Sequence, residues 1–176
     1  WATARSHASP PGLPAGRLIE NRLREIIREK GWALLDARIN NFEPFKDVYG
    51  FVAGDDVLRF TAMLIGEVVD EIGTISDFIG HAGGDNFIII TQEGKADAIK
   101  ARLKERFDNE VQTHYNFMDR QQGFVQAPAP DGTTIKVPFM TMSIGIVSPS
   151  MQSFADIREI TALAAEARRQ DTAPGG

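Results

Sequence analysis

Between residues 17 and 169 the spacing of apolar positions switches between the 3.6-residue period of a helix and the short runs or alternation of a strand. From Arg17 to Lys30, the residues Leu18, Ile19, Leu23, Ile26 and Ile27 fall on one helical stripe, and Gly31 follows where a terminating glycine belongs. Trp32 to Ile39 is short and largely apolar, which predicts a buried strand. Asn40 to Gly50, interrupted by Pro44, reads as a loop with one helical turn. A long helix follows: Asp55 or Asp56 can cap it, Val57, Leu58, Met63, Leu64, Ile65, Val68, Val69 and Ile72 supply its core face, and Gly73 ends it. Thr74 to Gly80 and Phe87 to Thr91 predict a hairpin around His81-Ala82-Gly83-Gly84-Asp85-Asn86, whose glycines can take positive φ. Lys95 to Phe107 predicts a helix with an exposed basic face, and 108–122 fits no single period. Phe124 to Gln126 and Thr134 to Val147 read as strands joined by turn residues, and Phe154 to Arg169 as a closing helix. The order β-α-β-β-α-β, one sheet covered by helices, predicts an α+β sandwich of the ferredoxin-like palm type.

Composition narrows this picture. The 176 residues suit a single core, and 43% hydrophobic with 24% charged residues exclude a disordered or fibrous chain. With no cysteine, neither disulfides nor thiolate chemistry are available, which fits the reducing cytoplasm. A net charge of −5 argues against a broad nucleic-acid or anionic-membrane footprint, and no apolar run approaches the ~20 residues that span a bilayer. Expected partners therefore include neither nucleic acid nor membrane. Residues 1–11, rich in small residues and starting at Trp1, read as a linker or remnant outside the fold, and 172–176 as a disordered tail.

The chemistry concentrates at the predicted hairpin. Gly83-Gly84-Asp85 beside the end of the first strand would set a carboxylate and open backbone at one sheet edge, a place able to hold a phosphate and a hard cation. Alone, such a turn is more often a solvated hairpin. It stands, however, in an ordered series: Gly12-Leu13-Pro14, Phe42 with Asp47-Val48-Tyr49-Gly50, Gly54-Asp55, Gly83-Gly84-Asp85-Asn86-Phe87 and Thr141-Met142-Ser143-Ile144-Gly145. This series resembles the GGDEF domain of bacterial diguanylate cyclases, over almost the whole of a single domain at 12–171. The resemblance implies a palm with a central, mostly antiparallel five-stranded sheet. It also implies a homodimer, set within a larger signalling protein, in which each subunit binds one GTP with Mg²⁺ and the two nucleotides are joined into cyclic di-GMP.

Several positions depart from that pattern. By the resemblance, the family's first metal-binding aspartate falls on Arg38, its second strand-end aspartate on Asn40, its phosphate-facing lysine on Glu43, and the acid after the signature aspartate on Asn86. Each change opposes Mg²⁺-triphosphate; at an effective dielectric near 20, one unit pair at about 4 Å is worth about 4 kcal/mol, so lysine to Glu43 turns an attraction into a repulsion. Asp85 is the one acidic position of the signature left for a metal, and Arg38, a permanent cation, is expected to pair with it and take the metal's place. Asp36, two residues earlier on the same strand face, is a less favoured substitute ligand. No catalytic residue is assigned within Gly83, Gly84, Asp85, Asn86 and Phe87, and no cofactor is expected, Mg²⁺ entering only with bound GTP.

For nucleotide binding the resemblance points to Phe42, to Lys46 in place of a guanine-reading asparagine, to Asp55, and to Arg168 at a phosphate-binding lysine. Asp55 could equally be a helix cap, and Arg168 an exposed helix-end cation favoured by the dipole. The family's product-binding Arg-x-x-Asp reads Thr74-Ile75-Ser76-Asp77, without its arginine. These departures predict a catalytically inactive domain with a regulatory or dimerisation role and residual guanine-nucleotide binding; the alternative is an active diguanylate cyclase.

Overall fold

The structure is a computed structural model that describes residues 13–171; the expected linker at 1–11 and tail at 172–176 lie outside the described residues. Helix α1 (Gly16–Ile26) precedes strand β1 (Trp32–Asn40), which leads into α2 (Phe42–Tyr49) and the long α3 (Phe51–Ile72). Strands β2 (Phe78–Gly83) and β3 (Asn86–Gln92) form the hairpin, followed by α4 (Glu93–Glu110), a 3-10 turn and the short α5 (Phe117–Gln122). The chain closes with β4 (Val125–Pro128), β5 (Thr134–Val137), β6 (Thr141–Val147) and α6 (Ile157–Gln170).

Strands β2, β3, β1 and β6 lie in that order in one sheet, every neighbouring pair antiparallel. The expected palm is therefore present, with four strands rather than five. The run Thr134 to Val147 is broken at Pro138, which has no N–H for a ladder. Its first part pairs only with β4 in a separate two-stranded ribbon, and its second part joins β1. The hydrophobic core is split by the sheet. Leu35, Phe87, Ile89, Leu64, Ile65, Ile99 and Leu103 pack between the sheet and α3/α4, and Leu23, Leu34, Ile88, Ile90 and Ile160 pack between it and α1/α6.

Several local expectations change. The Asn40 to Gly50 loop is the two-turn helix α2: Pro44 sits in its first turn, where a missing N–H costs nothing, and Asn41 enters through positive φ of 64°. Helix α3 starts at Phe51, ahead of the expected cap, so Asp55 and Asp56 lie inside it rather than at its N-cap, Gly50. Helix α1 ends at Ile26, and Leu18 and Met63 face solvent. The hairpin turn is tighter than expected, because His81, Ala82 and Gly83 belong to β2. Gly145 on β6 lets α6 approach directly: a Cβ there would land on the backbone of Ala164 and Arg168. That contact fixes where Arg168 stands.

Candidate functional site

The C-terminal end of β1 supplies Asp36, Arg38 and Asn40 on one sheet face, because side chains alternate along a strand. The register sets Arg38 opposite Asn86 on β3 and Ser143 on β6, which places the signature hairpin beside it. The hairpin is held firmly. Gly83 and Gly84 take positive φ (103° and 54°), His81 is buried with Nε2 2.7 Å from the Gly84 carbonyl, and Ile39 N–H donates to the Asp85 carbonyl at 3.3 Å. Phe87 anchors the next position in the core.

Three sets of polar contacts fill this end of the sheet. Arg38 Nε lies 3.6 Å from Asp85 Oδ1, the ion pair the charge pattern leads one to expect; its side chain is 44% exposed, so solvent weakens the pair. Burial pushes the Asp85 carboxyl above its ordinary range, with Arg38 pulling it back and Glu43 adding to the rise. Deeper in the structure, Arg168 Nε lies 3.1 Å from Asp36 Oδ1, and both residues are buried. This contact is electrostatic: Arg168 Nε is not aligned for a hydrogen bond. Asn86 Nδ2 donates to Asp36 Oδ1 at 2.6 Å and to the Ala37 carbonyl at 2.8 Å, and Asn40 Nδ2 donates to Thr141 Oγ1 (3.0 Å) and Ser143 Oγ (2.7 Å).

These side chains do not fit a hydrated divalent cation. Such an ion wants several anionic or carbonyl oxygens around one point. Here a guanidinium lies beside Asp85, an amide stands at Asn86, and Asp36 is already held by Arg168 and Asn86. Among the described residues no group of three His, Asp or Glu side chains is placed to hold a metal.

The nucleotide-side candidates are drawn together on α2 and α3, but toward one another. Phe42 is buried, and the Lys46 stem crosses over it and over Gly54, where a Cβ would meet Lys46 Cγ at 3.1 Å. Lys46 Nζ ends 3.1 Å from Glu43 Oε2, so these two opposite charges are directed at each other. Asp55 pairs with Arg59 one turn on. Arg168 does not join this group: it is buried over β1, contrary to an exposed helix-end cation. Asp77 is likewise taken internally, accepting from Thr74 N–H (2.9 Å) and Thr91 Oγ1 (2.7 Å).

Sequence reasoning passed over Asp171. Its carboxylate receives Lys100 Nζ at 3.0 Å, Lys104 Nζ at 2.7 Å and Ile144 N–H at 2.8 Å, tying α6 to α4 and β6. The predicted basic face of α4 is thus partly engaged; the signal was the i, i+4 spacing of the two lysines.

With this geometry in view, the similarities to known proteins have a structural meaning. Residues 12–173 match the family described as diguanylate cyclase, GGDEF domain, and the chain belongs to that family. Signaling protein YkoW of Bacillus subtilis is 32% identical over 102 residues, covering 54% of this chain and 12% of its own length. The diguanylate cyclase SiaD of Pseudomonas aeruginosa, solved in complex with its activator SiaC, shares the fold with a TM-score of 0.64 at 18% identity, over 91% of this chain and 55% of its own. The GGDEF domain of DgcB from Caulobacter crescentus, in complex with c-di-GMP, superposes with a TM-score of 0.59 at 20% identity, over 97% of this chain and 93% of that one. Among the described residues no helix is long and apolar enough to cross a membrane.

Proposed function

We propose that this chain is a catalytically inactive GGDEF domain, acting as a regulatory or dimerisation module within a larger cytoplasmic signalling protein. The observation that carries the reading is the Arg38–Asp85 pair, which puts a permanent positive charge where nucleotidyl transfer needs a divalent cation to lower a hydroxyl's pKa and neutralise developing charge. Asn86 and Glu43 support it. The amide cannot carry the negative charge of an acid, and Glu43 repels a triphosphate. Residual guanine-nucleotide binding would use Asp55 and Lys46, at the cost of breaking their pairs with Arg59 and Glu43.

The test is incubation with GTP and Mg²⁺, read by chromatography for cyclic di-GMP, alongside calorimetric titration with GTP with and without Mg²⁺. No product and no Mg²⁺-dependent heat are expected. Product from the wild-type chain, at a rate that Arg38→Asp, Glu43→Lys and Asn86→Glu together do not raise, supports the active diguanylate cyclase instead. Elution of the chain as a monomer at all concentrations counts against the dimerisation role.

A further inference from the structure

A cavity of about 410 Å³ lies between α1, α6 and the sheet, within the about 300–1,000 Å³ typical of small-ligand sites. Its inner walls are apolar, formed by Ile19 and Leu23 of α1, Ile88 of β3 and Ala165 of α6. Its polar end holds Asp36, Arg38, Asn86 and Arg168. We propose that this cavity is a binding site for a small amphipathic carboxylate, its head on the Arg168 and Arg38 guanidiniums and its apolar body between α1 and α6.

The donor and acceptor balance selects an anion. The Asp36 carboxylate is served by the Asn86 amide at 2.6 Å and by the charge of Arg168 at 3.1 Å. Arg168 is buried and its Nε makes no hydrogen bond among the described residues, and Arg38 reaches Asp85 only at 3.6 Å, beyond hydrogen-bond range. Buried polar groups are ordinarily hydrogen-bonded, so the buried Arg168 Nε stands in want of an acceptor, and the half-exposed Arg38 adds a second guanidinium fork at this end of the cavity. A carboxylate matches that fork, bidentate and charge-assisted. At the outer rim Glu20 and Arg158 carry opposite charges, Arg158 being held by Asp156 at 2.7 Å, so the rim adds no further attraction for a polyanion. The apolar walls complete the choice, because a bare inorganic anion would leave them uncovered. This site shares Arg38, Asn86 and Arg168 with the signature end of the sheet and rests on the proposed reading that this end does not hold Mg²⁺-GTP; the tripolyphosphate arm below separates failure of that reading from failure of the carboxylate site.

Hexanoate is the probe, titrated into the whole chain by calorimetry and by two-dimensional amide NMR, with acetate, hexan-1-ol and tripolyphosphate as comparisons. Expected are hexanoate binding with shifts centred on Ile19, Leu23, Ile88 and Ala165, and binding of acetate and hexan-1-ol weaker by about tenfold or more. Arg168→Met should abolish binding. Because it leaves Asp36 buried without a counter-charge, Ala165→Trp, which fills the cavity from its wall, is the second variant and should also abolish binding. Four results would overturn the proposal: equal binding of hexan-1-ol, unchanged hexanoate binding by Ala165→Trp, displacement of hexanoate by tighter-binding tripolyphosphate, or no binding at about 10 mM hexanoate.

Discussion

The two faces of the sheet are built on different principles. The face under α3 and α4 is packed with Leu35, Phe87, Ile89, Leu64, Ile65 and Leu103, all essentially without solvent contact. The face under α1 and α6 has an apolar cluster at one end and, at the other, the buried Asp36–Arg168 pair with half-buried Asn86 bonded to it. Dispersion and apolar burial tolerate small errors of position, whereas a buried ion pair offsets its desolvation only when both partners are in place. The first face therefore holds the fold, and the second is the face whose geometry depends on paired charges.

The largest expected effect breaks the second face. Removing one partner of the buried pair, as in Arg168→Met, should cost about 3–5 kcal/mol of unfolding free energy by denaturant titration. The double variant Asp36→Leu with Arg168→Met should recover much of that loss, because no uncompensated charge remains. If the double variant is as unstable as the two single losses added together, the pair is not coupled. On the first face, Leu64→Ala should cost about 2–5 kcal/mol, set by the cavity it leaves. No partner change at a charged position should rescue it.

The smallest effect separates the regions by pH. Burial pushes the Asp85 carboxyl upward, so the folded state holds its proton more tightly than the unfolded chain does. Its favourable contribution is complete below about pH 4 and is lost as pH rises through the folded value. Asp85→Asn should accordingly raise Tm at neutral pH, with the gain fading in acid. His114, packed 4.9 Å from the Phe60 ring beside α3 and α4, has the opposite sign: burial lowers it, so its contribution is present above about pH 6.5 and lost as pH falls. His114→Gln should flatten the decline of Tm on the acid side. Scanning calorimetry of both variants across pH reads each slope, and a Tm unchanged by Asp85→Asn at neutral pH would remove the burial argument.

Much of the fold was legible because the helices and strands are amphipathic or wholly apolar over their full length. The stripe from Val57 to Val69 and the run Trp32 to Ile39 announce themselves by period alone. Helix α2 was not legible, since Pro44 marks both a break and a first helical turn, and only the packing of Phe42 and Phe45 decides between them. The candidate site divides in the same way. That Arg38 pairs with Asp85 was expected from the resemblance, which sets a permanent cation at a metal-binding position beside the signature acid, and the pair is present. That Lys46 lies across Phe42 and Gly54 onto Glu43, or that Asp171 gathers Lys100 and Lys104, depends on the path of long side chains over neighbours distant in the chain.

The sequence by itself determined the palm, the family and which charged and amide residues stand around the signature hairpin, because periodicity, glycine positions and charge are local properties. Only the tertiary structure decided that Arg168 turns inward to Asp36 and that a cavity opens beside it. That outcome requires α6 to settle on Gly145 at backbone distance, a contact between segments about twenty residues apart whose consequence is felt on a strand more than a hundred residues earlier.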